Sequence, residues 1–298
     1  MQRTPCMQMV TKLSSLLTLL FLLAFLGACS GLPEKETARS GSLVLSADRQ
    51  LAELASAHAE LFSRYYADAR VKVSSSGSAK TLAALLDGKA GAALVDGELL
   101  APEDSLFATL KRPLRLESVA RDAIVCVVNR EYSSKKLSLV ELAALFSDSA
   151  KGVTPLVSAD DYRLLGVFAS RLSLKRSDLG VWRCNSDSEL LGRVASDKRA
   201  VGLMFRSSFE AARAAGKAGE AVRIIPLSVR AGEKAFLPRR EAIFEGSYPL
   251  VTTVSYVYYP GDALAAGFGA WLTSRGQKLF ESSELVPVRQ IERTITIK

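Results

Sequence analysis

Residues 123–129 read AIVCVVN, an unbroken apolar run with β-branched residues throughout. A strand exposed on one face alternates polar and apolar residues; a continuous run is the mark of a strand covered on both faces. That requirement narrows the fold to a sheet with helices on either side. The rest of the chain fits it. Short apolar strands are predicted at 43–46, 71–73, 92–95, 200–205, 222–226 and 252–259. Helical patterns lie between them at 81–86, 139–146, 162–172 and 189–195, with a long one over 261–280. Asp48 stands where it can cap a helix in which Leu51, Leu54, Ala55, His58, Leu61, Phe62 and Tyr65 share one face. Ser138 and Glu141 have capping-box spacing. This β-α order predicts an α/β protein with parallel sheets. Ligands in such folds sit beyond the carboxyl ends of strands, near helix N-termini, which draws attention to the polar stretch 74–78.

The 298 residues are enough for about two domains. One His and four Cys are too few for most metal sites, and neither a metal nor a cofactor is expected. His58, on the apolar helix face, reads as a core residue and not as a catalytic base. No G-x-S-x-G, H-E-x-x-H or P-loop pattern occurs, so no catalytic residue is assigned and no enzyme is expected. The formal charge is +8, but Lys and Arg are scattered and not clustered. The excess therefore reads as a solvated surface, not a nucleic-acid footprint.

The N-terminus reads as an address. Arg3 and Lys12 precede an apolar stretch over 16–26, too short for a membrane span. Leu26-Gly27-Ala28-Cys29 follows and resembles the bacterial lipoprotein box. The resemblance implies a signal peptide over 1–28, diacylglycerol on Cys29, and a membrane-anchored protein of the cell envelope, periplasmic or surface-facing. Ser30, in place of the Asp linked to inner-membrane retention, leans this towards the outer membrane. An ordinary signal peptide that happens to contain a Cys is the alternative. Cleavage would leave 270 residues with charge +6. Residues 29–42, polar and breaker-rich, read as a flexible tether. Cys126 and Cys184 could form a disulfide after export, or remain two buried thiols.

Several ordered segments are similar to the phosphate-binding proteins of ABC transporters. The chain has Phe244-Glu245-Gly246-Ser247-Tyr248-Pro249-Leu250, similar to the family's G-x-Y-P-L, and Trp271-Leu272-Thr273-Ser274-Arg275-Gly276-Gln277, similar to W-L-L-S-x-x-G-Q. Leu285-Val286-Pro287-Val288, Ala200-Val201-Gly202-Leu203 and residues 137–142 match further family segments. The resemblance implies a type II periplasmic-binding-protein fold: two α/β lobes with a ligand cleft between them. Lobe 1 is expected over 43–124 and 246–298, lobe 2 over 125–245. A hinge would close the lobes over a bound oxyanion.

Carried over position by position, the resemblance implies ligand contacts from Ser76, Gly77 and Ser78, the match to the family's G-S-G loop. Asp96 stands at the strand end that carries the family's Asp. Ser78 could equally be a plain helix cap, and Asp96 a turn residue before Gly97. Gln50 remains as a donor in the first loop, where Asp48 would repel an anion. In lobe 2 the family's R-x-x-G-S-G-T corresponds to Ser158-Ala159-Asp160-Asp161-Tyr162-Arg163-Leu164. The Arg, Gly and Ser are missing and two acids occupy the turn. Arg163 could restore the positive charge; as a solvated helix residue it would not. The expected function is that of a monomeric lipoprotein handing phosphate or a related small oxyanion to an ABC permease. The alternative is a binding-protein scaffold reused as an envelope interaction or sensor protein, with a different small ligand or none.

Overall fold

In the computed structural model, residues 36–110, 113–147, 152–159, 161–216 and 219–289 are described. Residues 37 onward form one compact unit. The expected signal peptide and lipidation site, Cys29, lie outside the described residues.

One strand organises the molecule. β4 (Arg115–Asn129) is 15 residues long and contains the apolar run. Its first part pairs antiparallel with β11 (Val251–Tyr258), from Arg115–Tyr258 to Ala123–Val251. Its second part pairs antiparallel with β8 (Ala200–Phe205), from Ile124 to Val128. β4 is therefore shared by two half-sheets. In the first half, β1 (Gly41–Asp48) lies parallel between β2 (Ala69–Ser76) and β3 (Ala92–Asp96), and β11 closes against β3. In the second half, β6 (Thr154–Ser158) lies parallel between β8 and β7 (Trp182–Cys184). The short strands β9 (Val222–Ile224) and β12 (Val286–Pro287) add to β4, and β5 (Leu137–Ser138) pairs with β10 (Leu227–Ser228) apart from the main sheet.

Helices cover both faces. In the first half these are α1 (Ala52–Tyr65), α2 (Ser78–Leu86) and α3 (Ala101–Thr109). In the second half come α4 (Leu139–Leu145), α5 (Tyr162–Arg171), α6 (Asp187–Ser196), α7 (Arg206–Ala214) and α8 (Arg240–Glu245). The chain then returns with α9 (Ala263–Leu272) and α10 (Gln277–Glu281). Leu45, Phe62, Leu94, Tyr256 and Phe268 centre one core; Cys126, Phe146, Leu164, Leu203 and Tyr248 centre the other. The Tyr248 hydroxyl donates to the carbonyl of Ile124 at 3.0 Å, tying the returning segment to the crossing strand.

Three local expectations need correction. Residues 74–76 continue β2 and are not loop. The helix expected over 261–280 breaks after Leu272. There Thr273 and Ser274 turn their hydroxyls back onto carbonyls of residues 269–271, and the Gly276 N–H donates to the Trp271 carbonyl at 2.8 Å. Such back-bonding competes with the helix ladder. β1 begins at Gly41, inside the stretch expected as a tether. The Ser138–Glu141 capping box forms in both directions. His58 is fully buried against Phe280, with ring centroids 4.5 Å apart. Cys126 and Cys184 are buried free thiols, and burial pushes Cys126 up to about 12.

Candidate functional site

The carboxyl ends of β1, β2 and β3 in the first half, and of β6, β7 and β8 in the second, lead into the segments that face the junction. Each strand is followed by a helical turn, so helix N-termini gather there from both sides. This is the geometry in which an anion can be held by backbone N–H groups.

Arg163 spans the junction. Arg163, in the first turn of α5, is 1% exposed. Its backbone N–H donates to Ser78 Oγ at 3.2 Å. Its guanidinium reaches into the first half, donating to the carbonyls of Asp96 at 2.6 Å and Glu98 at 2.7 Å. It also forms a forked pair with Glu103, at 2.8 and 3.1 Å. Glu103 is held in turn by the Leu100 N–H at the start of α3, at 2.8 Å. Charge-assisted, two-pronged pairs of this kind are the stronger hydrogen bonds of proteins. Arg163 is thus no solvated helix residue.

The contact continues along one face of α5. Gly97, at φ +80°, packs so closely on Val167 that a Cβ there would lie 2.6 Å from Val167 Cγ2. Gly166 has Leu100 Cδ1 2.5 Å from the place of its missing Cβ. Arg171 pairs with Glu98 one turn further on. Positions 163, 166, 167 and 171 have the spacing of a single helix stripe. Two glycines, one on each side, permit the close approach.

Behind this seam lie three buried carboxyls. Asp48 does not cap the following turn with its side chain. Its Oδ2 instead accepts from the Asp96 N–H at 2.9 Å. Burial raises Asp48 to about 6. Asp96 accepts from the Thr252 hydroxyl at 3.2 Å. Burial first, and then the charge of Asp122, push Asp96 well above the carboxylate range. Asp122 accepts the N–H groups of Ala123 and Ser207, the latter at the start of α7. Burial raises Asp122 as well, and Asp96 is raised further because the Asp122 carboxyl stands beside it.

The other expected site residues are near. Ser76 Oγ is 3.0 Å from Thr81 Oγ1, and Gly77 supplies the N-cap of α2 with a carbonyl that accepts from Lys80 and Thr81. Gln50 lines a cavity of about 280 Å³ with Asp161, Ser186 and Ser208, and its Nε2 is buried without a partner. Among the described residues Ser158 Oγ is likewise buried without a partner. The structure thus brings Ser78, Asp96 and Arg163 together, and places Gln50 beside them in a cavity lined from the second half by the segments that follow β6, β7 and β8. Sequence reasoning missed Glu103, Glu98 and Asp122. Only Asp122 carried a signal: an acid directly before the apolar run of a buried strand.

Comparison with known proteins matches these features to a family. A model described as a PBP superfamily domain covers residues 32–275. A protein of Clostridium perfringens assigned as a phosphate ABC transporter substrate-binding protein, solved with bound phosphate, superposes with a TM-score of 0.67 at 15% identity. The match covers 84% of this chain and all of that one. An ABC-type phosphate transport receptor from Vibrio cholerae gives 0.62 at 20% identity, over 82% of this chain and 99% of its own. PstS from Borrelia burgdorferi gives 0.58 at 11% identity, over 84% and 100%. No curated protein sequence gives a significant match. With its shared central strand, helix N-termini facing a junction, and a family model matched over most of its length, the chain belongs to the PBP superfamily and has the type II periplasmic-binding-protein fold.

Proposed function

We propose that this protein is a lipid-anchored envelope component, built on a binding-protein scaffold, whose cleft is latched shut by its own side chains. It would act as an interaction or sensor protein and not as a phosphate carrier. The observation that carries this reading is the Arg163 contact set. The hydroxyl assigned to the anion, Ser78, is engaged by the first turn of α5, and the guanidinium is spent on Glu103 and two carbonyls. A phosphate dianion placed there would also meet the buried carboxyls of Asp48 and Asp122. Moving an anion beside these groups costs desolvation and repulsion that a single engaged Arg does not offset.

The second reading, an anion receptor for an ABC permease, is favoured by one observation: Ser78, Asp96 and Arg163 do meet at the junction. It requires the lobes to open and Arg163 to leave Glu103 for the ligand. Small-angle scattering of the mature chain, with and without phosphate, separates the two. The latched reading predicts the same radius of gyration in both conditions. Compaction on adding phosphate would overturn it in favour of the receptor.

A further inference from the structure

A row of stacked side chains lies in the first half, at the end of α1 away from the junction. α1 follows the carboxyl end of β1 and runs about 21 Å from the cleft. At its far end Tyr66 meets Phe62 edge-on at 4.9 Å, Phe62 meets Trp271 at 5.7 Å, and Trp271 meets Tyr65 at 5.0 Å. Arginines close both ends. The Arg39 guanidinium sits 5.4 Å from the Tyr66 ring centre, and that of Arg275 sits 5.3 Å from the Tyr65 ring centre. Tyr65 is 56% exposed. Beside it opens a groove of about 530 Å³, walled by Tyr65 and Trp271, with Arg275 and Lys278 at the rim against one carboxylate, Glu281. Trp271 is 4% exposed, yet its indole N–H is buried in this wall with no acceptor.

The chain enters the body at the same place. Ala38 lies against Gly267 of α9, so closely that a Cβ on Gly267 would meet the Ala38 carbonyl oxygen at 1.9 Å, and Arg39 is already part of the row. Thr37 stands eight positions after Cys29, which bounds the distance to about 29 Å even when fully extended. A lipid on Cys29 therefore keeps this end of the molecule close to a bilayer. Aromatic side chains with a polar tip favour the headgroup region, and surface cations are drawn to anionic lipids.

We propose that this aromatic face, Tyr65 and Trp271 with Arg275 and Lys278, rests on the anionic headgroups of the membrane. The chain would be held with its cleft pointing away. The proposal rests on the lipid-anchor reading. Its chemistry is specific: a phosphate-bearing headgroup pairs with Arg275 and Lys278 and lies against the exposed Tyr65 ring.

The test uses the mature chain carrying Trp182→Phe. This leaves Trp271 as the single tryptophan, and Trp182 is 66% exposed on β7, outside the groove. The protein is placed in vesicles of equal parts phosphatidylcholine and phosphatidylglycerol, with acyl chains brominated near the headgroup. The expected result is quenching of Trp271 fluorescence, mostly lost with Arg275→Glu/Lys278→Glu and in vesicles of phosphatidylcholine alone. A chain that floats with the vesicles but keeps its full fluorescence overturns the docking face. So does protection of Trp271 that needs other membrane proteins. Failure of the anchor is read separately, as an intact mass lacking diacylglycerol. In that case the chain is added from solution to the same vesicles, and the same quenching decides the docking face.

Discussion

Ser78 Oγ accepts the backbone N–H of Arg163 at 3.2 Å, a hydrogen bond between residues 85 positions apart that joins the two halves of the molecule. In a binding protein that closes on its solute, such a gap is bridged by the ligand, and closure reports its presence. Here helix α5 bridges it. On the proposed reading, the closed arrangement draws on the free energy of the chain's own contacts, and a solute has correspondingly little to add.

The first prediction concerns Arg163→Met. The variant removes the guanidinium and leaves Glu103 and the carbonyls of Asp96 and Glu98 without their donor. Breaking a buried pair on one side costs about 3–5 kcal/mol. Glu103 is 22% exposed, so water recovers part of that, and a loss of roughly 2–4 kcal/mol is expected. Urea unfolding measures it. The radius of gyration from scattering should rise as the halves part.

Gly97→Ala tests the seam without touching a charge. The position has φ +80° and no room for a Cβ beside Val167. A left-handed Ala and an overpacked contact together cost about 2–4 kcal/mol. Thermal unfolding should show the loss. Pairing the substitution with Val167→Ala should recover the steric part and leave the backbone part.

The buried acid on β1 predicts a pH dependence. Folded Asp48 titrates near 6 and the unfolded residue near 3.8. Above pH 6 its burial cost is present in full. As the pH falls from 6 towards 3.8, the folded protein binds a proton that the unfolded chain does not, and stability rises by ~3 kcal/mol. Asp48→Asn keeps an oxygen for the Asp96 N–H. It should be more stable than wild type at pH 8 and close to it at pH 4, measured as the midpoint of urea unfolding.

His58 acts in the opposite sense. Burial lowers it to about 3 from 6.5, and neither ring nitrogen has a partner. As the pH falls below 6.5 the unfolded chain takes up a proton that the folded one refuses, and ~5 kcal/mol of stability is lost by pH 3. His58→Leu should abolish that loss. Melting curves at pH 4.5 and 7.5 should differ less in the variant than in the wild type.

These residues also mark how far the sequence could be read. AIVCVVN announced a strand covered on both faces, and the β-α order announced the layers, because burial leaves a compositional trace. The α9–α10 break has a local origin that the apolar pattern masked: Thr273 and Ser274 bond back to carbonyls of residues 269–271, and Gly276 turns under Trp271. At the junction, matching Ser78 and Asp96 to a family named two residues that the structure brings against Arg163. The occupant of that place was hidden. Whether Arg163 points to solvent or across the cleft depends on Glu103 on α3, 60 positions away, and on a glycine contact at Gly97. No local periodicity encodes either.

The central claim, that the chain's own helix fills the anion cradle, is tested most directly by titrating phosphate into the mature protein in a calorimeter at low salt. The account predicts no saturable heat. Saturable binding that is lost in Ser78→Ala would contradict it and place phosphate at the junction.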